Sequence, residues 1–126
     1  MAGIQVVRFF EPGEFKCPCG ECEFSEDGNM DPTFMRKLTN ARDFAEVPFV
    51  INSGRRCVKH NAEVGGKEDS PHTRGMAVDI KCVNSTQRFR MVRSLIGCAF
   101  RRIGVYGTHI HVDNDTTKPP DVMWLG

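Results

Sequence analysis

The sequence predicts a small α+β domain: a short, mostly antiparallel sheet with helices packed on one face and a functional cleft on the other. Helical repeats of apolar residues, several short β-branched runs, and polar groups gathered on one side of a single strand lead to that reading. A chain of 126 residues suits one core, so residues 1–126 are expected to form a single domain.

Residues 4–10, IQVVRFF, read as an edge strand or an arm. A cysteine-rich, turn-rich stretch follows, and residues 1–30 are expected to pack on the domain as an N-terminal segment. Asp31 before Pro32 marks a helix start, because Asp accepts free N–H groups and Pro tolerates the first helical position. Phe34, Leu38, Ala41 and Ala45 then repeat at helical spacing up to about Glu46. Pro48 stops this helix, and FVIN at 49–52 is a buried strand closed by Ser53 and Gly54. A short helix over 57–64 is broken by Gly65 and Gly66, and a polar loop runs to Gly75. Residues 77–83 form a strand. Ser85 caps a third helix whose Phe89, Val92, Ile96 and Ala99 face inward. Strands over 103–106 and 109–113 come next, and residues 116–126 are a loop with Trp124 tucked against the body.

Bulk composition excludes more than it suggests. A formal charge of +1 gives no footprint for nucleic acid, and no stretch approaches the ~20 apolar residues of a membrane span, so neither is expected as a partner. The N-terminus has no charged region followed by a sustained apolar one, so no signal peptide is expected. Six cysteines in such a chain then read as free thiols or metal ligands rather than as disulfides.

The chemistry concentrates in two stretches. SPHTRGMAVDI, residues 70–80, sets His72 and Asp79 seven residues apart across a turn into a strand, and HIHVD follows at 109–113. A catalytic zinc takes three nitrogen or oxygen ligands and keeps one position open, so His72, Asp79 and His111 form a chemically complete set. Alternation puts His109, His111 and Asp113 on one face of their strand, which would then carry a zinc cleft. Read alone, those polar groups would serve equally as a solvated strand face, and His72 as a solvated loop residue.

Taken together, INSGRRC at 51–57, HNAEVGG at 60–66, SPHTRGMAVDI at 70–80 and RIGVYGTHIHVD at 102–113 resemble the D-alanyl-D-alanine carboxypeptidase group of zinc peptidases, the M15 family, and within it the short phage-type members. EFKCPCG at 14–20 extends the resemblance. It implies zinc ligands at His72, Asp79 and His111, and a substrate- or oxyanion-binding role for Arg56, which matches the arginine of the family's SGYR motif. Ser70, at the head of the second stretch, joins Arg56 in substrate binding. Arg55 stands where the family usually has an aromatic residue; alternation at a strand end favours Arg56 as the site-facing one. The implied reaction is hydrolysis of peptide bonds in peptidoglycan stems or cross-links. The implied setting is a phage lysin acting from the host cytoplasm through a holin, or from the virion beside other virion proteins.

Many relatives carry a carboxylate three residues before the last zinc histidine, resembling a general base; this chain has Thr108, which is no base near neutral pH. Asp113 is the substitute, on the face of His111 and one strand step of about 6.6–6.8 Å away. In another reading it only orients that histidine. His109 is the next proton carrier, in an HIH arrangement similar to that of the zinc-bearing hedgehog signalling domain. Thr108 also admits a different class, a zinc-binding virion component without turnover. Cys17, Cys19 and Cys22, in CPCGEC, suit a structural zinc with Cys57 or Cys82 as fourth thiolate, with a Cys19–Cys57 disulfide as the rival. Cys98 reads as a small buried helix residue.

Overall fold

The computed structural model describes residue 10, residues 13–20, residue 22 and residues 28–126. The arm or strand expected over 4–10 lies outside these apart from Phe10. Asp31 opens helix α1 (Pro32–Ala45) by accepting the Phe34 amide N–H at 2.9 Å, and the expected stripe of Phe34, Leu38, Ala41 and Ala45 is fully buried. Strand β1 (Ile51–Ser53) begins two residues later than expected, Phe49 being spent on the core. Helix α2 (Val58–Glu63) is capped by the Cys57 sulfur. Where a plain loop was expected, Pro71–Arg74 forms a 3-10 turn, leading into β2 (Ala77–Lys81).

Helix α3 (Ser85–Gly97) differs from expectation at its cap and its face. Asn84, not Ser85, caps it, its side chain accepting the Gln87 N–H at 2.8 Å. Its buried residues are Met91, Ser94 and Leu95, while Phe89 and Ile96 stand 65% and 53% exposed and Ala99 lies exposed beyond the helix end. Adjacent apolar stripes on one helix satisfy the same periodicity, so packing against α1 chooses between them. Phe89 and Phe44 are covered from outside by the Arg93 guanidinium, 5.6 and 5.5 Å from their ring centres.

Strands β3 (Arg102–Val105) and β4 (His109–Asp113) follow, and then a correction to the tail. Val122–Leu125 is a strand, β5, not a loop, and it runs parallel to β3. Four residues cannot display a period; the pairing is decided by β3 and by the Arg101–Asp121 ion pair at the entry, with both contacts at 2.7 Å. The sheet order is β1-β2-β4-β3-β5, antiparallel except for that one edge, as the predicted class requires. Val78, Ile80, Ile103, Ile110 and Val112 fill one face and join α1 and α3 in the core, together with Phe10, Phe15 and Met30 from the N-terminal part. Among the described residues no helix is long and apolar enough to cross a membrane.

Beyond β4 the chain is held by Asp115, whose buried carboxylate takes Arg74 Nη1 and Nη2 at 3.1 and 2.5 Å and the Thr117 N–H and hydroxyl at 3.0 and 2.7 Å. Burial opposes its charge, but the bonds from Arg74 and Thr117 prevail and hold its pKa at about 2. A carboxyl depressed on folding adds stability above its unfolded pKa of about 3.9, and that stability disappears as pH falls through the folded value. Acid titration of urea-unfolding free energy should therefore show a loss of about 2 kcal/mol from this group between about pH 5 and pH 2. Asp115→Asn should be weaker at pH 6 and flatter across that window; an unchanged slope would refute the assignment.

Candidate metal centre

Strand register builds the floor of the site. Ser53 opposes Asp79, Asp79 opposes His111, His111 opposes Gly104, and Gly104 opposes Trp124, so one row crosses all five strands on the face away from the helices. A register shift between Ile51 and Ser53 lets Ile51 pack on the core while Ser53 turns to this row. At Gly104 an added Cβ would lie 2.6 Å from the Trp124 indole. Its absence lets the indole cross β3 and reach within 5.5 Å of the His111 ring, with Nε1 donating to the Tyr106 hydroxyl at 3.0 Å.

His72 comes from the 3-10 turn. Ser70 caps that turn by accepting the His72 amide N–H at 3.2 Å, and Gly75 closes it at φ 71°, where a Cβ would also meet Arg55 and Asn29. The His72 ring nitrogen Nδ1 is 2.8 Å from the Gly54 carbonyl oxygen, which only accepts, so Nδ1 carries the proton and Nε2 the lone pair. Nε2 faces Asp79 Oδ1 at 3.5 Å, and His111 Nδ1 faces the same oxygen at 3.1 Å. Ligand atoms of His72, Asp79 and His111 all lie within 4.8 Å of one another. On its other side His111 Nε2 donates to Asp113 Oδ2 at 2.7 Å.

Burial works against the Asp79 charge, yet the bonds to His111 and His72 outweigh it and hold the carboxyl far below its usual range. For His111 the order is similar: burial favours the neutral ring, and the bonds to Asp113 and Asp79 overcome it and raise the pKa. Two imidazoles and an ionised carboxylate aimed at one point, each with its far side already bonded, fit a zinc ion; binding would exchange the His111 Nδ1 proton for the metal.

The donor set opens into a cleft of ≈ 690 Å³ whose wall includes Arg56, Ser70, His109, Asp113 and Trp124. Arg56 donates to Ser53 Oγ, Asn61 Oδ1 and Asp79 Oδ2 at 3.3, 3.2 and 3.4 Å, while Arg55 turns the other way and donates to the Asn29 carbonyl oxygen. Asp113 is 1% exposed, with Oδ1 taking Arg102 Nε at 2.8 Å and the Asp115 N–H at 3.0 Å. His109 is partly exposed, stacked at 4.4 Å on Tyr106, with Thr108 Oγ1 3.0 Å from its Nδ1. Sequence reasoning missed Arg102, Tyr106 and Trp124. Alternation back from Gly104 would have found Arg102; nothing local marks Trp124, whose place depends on β5.

Of the cysteines, Cys17, Cys19, Cys22 and Cys57 converge, while Cys82 lies buried elsewhere with its thiol toward the Asn84 carbonyl at 3.7 Å. No disulfide joins the described cysteines, Cys19 Sγ and Cys57 Sγ standing 3.7 Å apart, and Cys98 is only partly buried against the core.

Two histidines and a carboxylate converging in an open cleft are the donor set of a metal-dependent hydrolase. The chain belongs to the peptidase M15 family, whose model matches residues 8–113, and this family consists of zinc-dependent metallopeptidases. No curated protein matches the chain.

The Gly104–Trp124 contact is directly testable, since Trp124 is the only tryptophan. Gly104→Ala should displace the indole, shift its fluorescence and lower stability by about 1–3 kcal/mol through overpacking. If the indole were not there, alanine in a strand would instead stabilise by about 0.5–1 kcal/mol. Unfolding curves followed by tryptophan emission decide the sign.

Proposed function

We propose that this protein is a zinc peptidase that hydrolyses peptide bonds of bacterial peptidoglycan, in stem peptides or cross-links. The observation that carries the reading is Arg56, held on the cleft wall by three hydrogen bonds and reaching the same carboxylate that completes the His72–Asp79–His111 set. A planar pair of donors there suits the oxyanion of a cleaved amide or the terminal carboxylate of a stem peptide. When bound, zinc supplies a Lewis acid for the scissile carbonyl and an acidified water.

The chain's own groups supply the rest. Asp113 orients His111: it is buried at the cleft wall and both its oxygens are already engaged, by His111, Arg102 and the Asp115 N–H. Proton transfer falls to His109, on the cleft wall and partly exposed, with Thr108 steadying its ring. Ser70 positions the backbone of His72 and borders the substrate. Lys67 adds positive charge at the cleft beside Arg56, while Arg102 is paired with Asp113 and Lys118 with Asp69. The resemblance to short phage-type members supports a lysin that reaches the wall through a holin or from a virion.

Purified peptidoglycan treated with the zinc-loaded protein should release new amino groups, and His72→Ala should abolish the release while losing one equivalent of zinc. His109→Ala should lower kcat about 10²–10⁴-fold with its zinc content unchanged, whereas Arg56→Lys should act mainly on KM. No cleavage by protein that holds the His72-dependent zinc would sink the peptidase reading and favour a non-catalytic zinc-binding virion component.

A further inference from the structure

We propose that Cys17, Cys19, Cys22 and Cys57 form a second, closed zinc site that ties the N-terminal segment to the strand end carrying Arg56. The proposal goes beyond the peptidase reading and stands whether or not that reading holds. Ligand sulfurs of all four lie within 4.8 Å of one another, and among the described residues no histidine or carboxylate joins the group. Cys19 Sγ and Cys57 Sγ are 3.7 Å apart, far from a bonded disulfide yet matching the edge of about 3.8 Å of a tetrahedron with Zn–S bonds of about 2.3 Å. A single disulfide would leave two converging thiols unexplained, whereas one tetrahedral ion uses all four.

Backbone donors point at the same sulfurs. The Cys57 N–H reaches Cys17 Sγ at 3.3 Å, and the His60 N–H reaches Cys57 Sγ at 3.3 Å. A thiol sulfur is a weak acceptor, while a metal-bound thiolate accepts such bonds well. Thiolate ligands select zinc over magnesium or calcium, and binding releases the thiol protons to solvent.

The segment needs such a fastening. Residues 13–20 form only turns, yet Phe15 and Cys17 are buried, and the Phe15 carbonyl accepts the Arg55 N–H at 2.9 Å. Gly54 sits so close to Phe15 that a Cβ would lie 2.9 Å from its backbone. Cys57 directly follows Arg56 and caps α2, whose Asn61 bonds the Arg56 guanidinium, while the Arg56 N–H reaches the His72 carbonyl oxygen at 3.0 Å. The cysteine site therefore holds the backbone on both sides of the cleft arginine, as a positioning element without substrate contact.

The test is metal counting on the full chain, purified with zinc under reducing conditions. Wild type should hold two zinc equivalents, with His72→Ala losing one and Cys19→Ser losing the other. Cobalt exchanged into His72→Ala should show thiolate-to-metal charge-transfer absorption, which Cys19→Ser should lack. His72→Ala protein that is free of metal, or cobalt bound without thiolate absorption, overturns the proposal even if Cys19→Ser fails to fold. Peptide mapping that finds Cys19 joined to Cys57 overturns it as well. None of these readouts depends on peptidase activity.

Discussion

Asp79 and His111 meet because β2 and β4 pair antiparallel with Ala77 against Asp113 and Lys81 against His109. Strand side chains alternate, so a slip of one residue in β4 would turn His111 and Asp113 into the core and expose Ile110 and Val112. The apolar face thus guards the register, and the register holds the polar face. From it follow the row from Ser53 to Trp124, the convergence with His72, and the placing of Asp113 behind His111.

Charges on that face are arranged in compensating layers. Asp79 is shared by His72, His111 and Arg56, and Asp113 by His111, Arg102 and the Asp115 backbone. Buried pairs of this kind add little net stability over an apolar core, whereas removing one partner strands a charge at about 3–5 kcal/mol. Their use here is geometric. Each imidazole is bonded on the side away from the donor set, which fixes its ring and leaves one nitrogen aimed at the others.

The loops complete what the sheet begins. Ser70, Pro71 and Gly75 make a turn whose shape presents His72, and the Gly54 carbonyl opposite sets its proton. Arg56 is held from three elements: Ser53 at the end of β1, Asn61 on α2 and Asp79 on β2. A guanidinium held from three sides has little conformational freedom left to lose.

Sequence alone determined the helix of Asp31 to Ala45 and the strands around Asp79 and His111, because each is a local pattern, while the His72–Asp79–His111 set was legible through the family resemblance, since its members taken singly read equally well as solvated residues. Arg56 was favoured over Arg55 by strand alternation, but β1 ends at Ser53, and it is the irregular chain beyond it that brings Arg56 to Asp79 and Arg55 to the Asn29 carbonyl. Tertiary structure decided what depends on distant partners. Packing on α1 chose Met91 and Leu95 over Phe89 and Ile96, because two adjacent apolar stripes share one period. Pairing with β3 made a strand of Val122–Leu125 and laid Trp124 across Gly104, since four residues show no period of their own. Asp113 could carry a proton or orient a ring while only its spacing was known; its burial and three bonds are facts of three-dimensional packing that no spacing encodes.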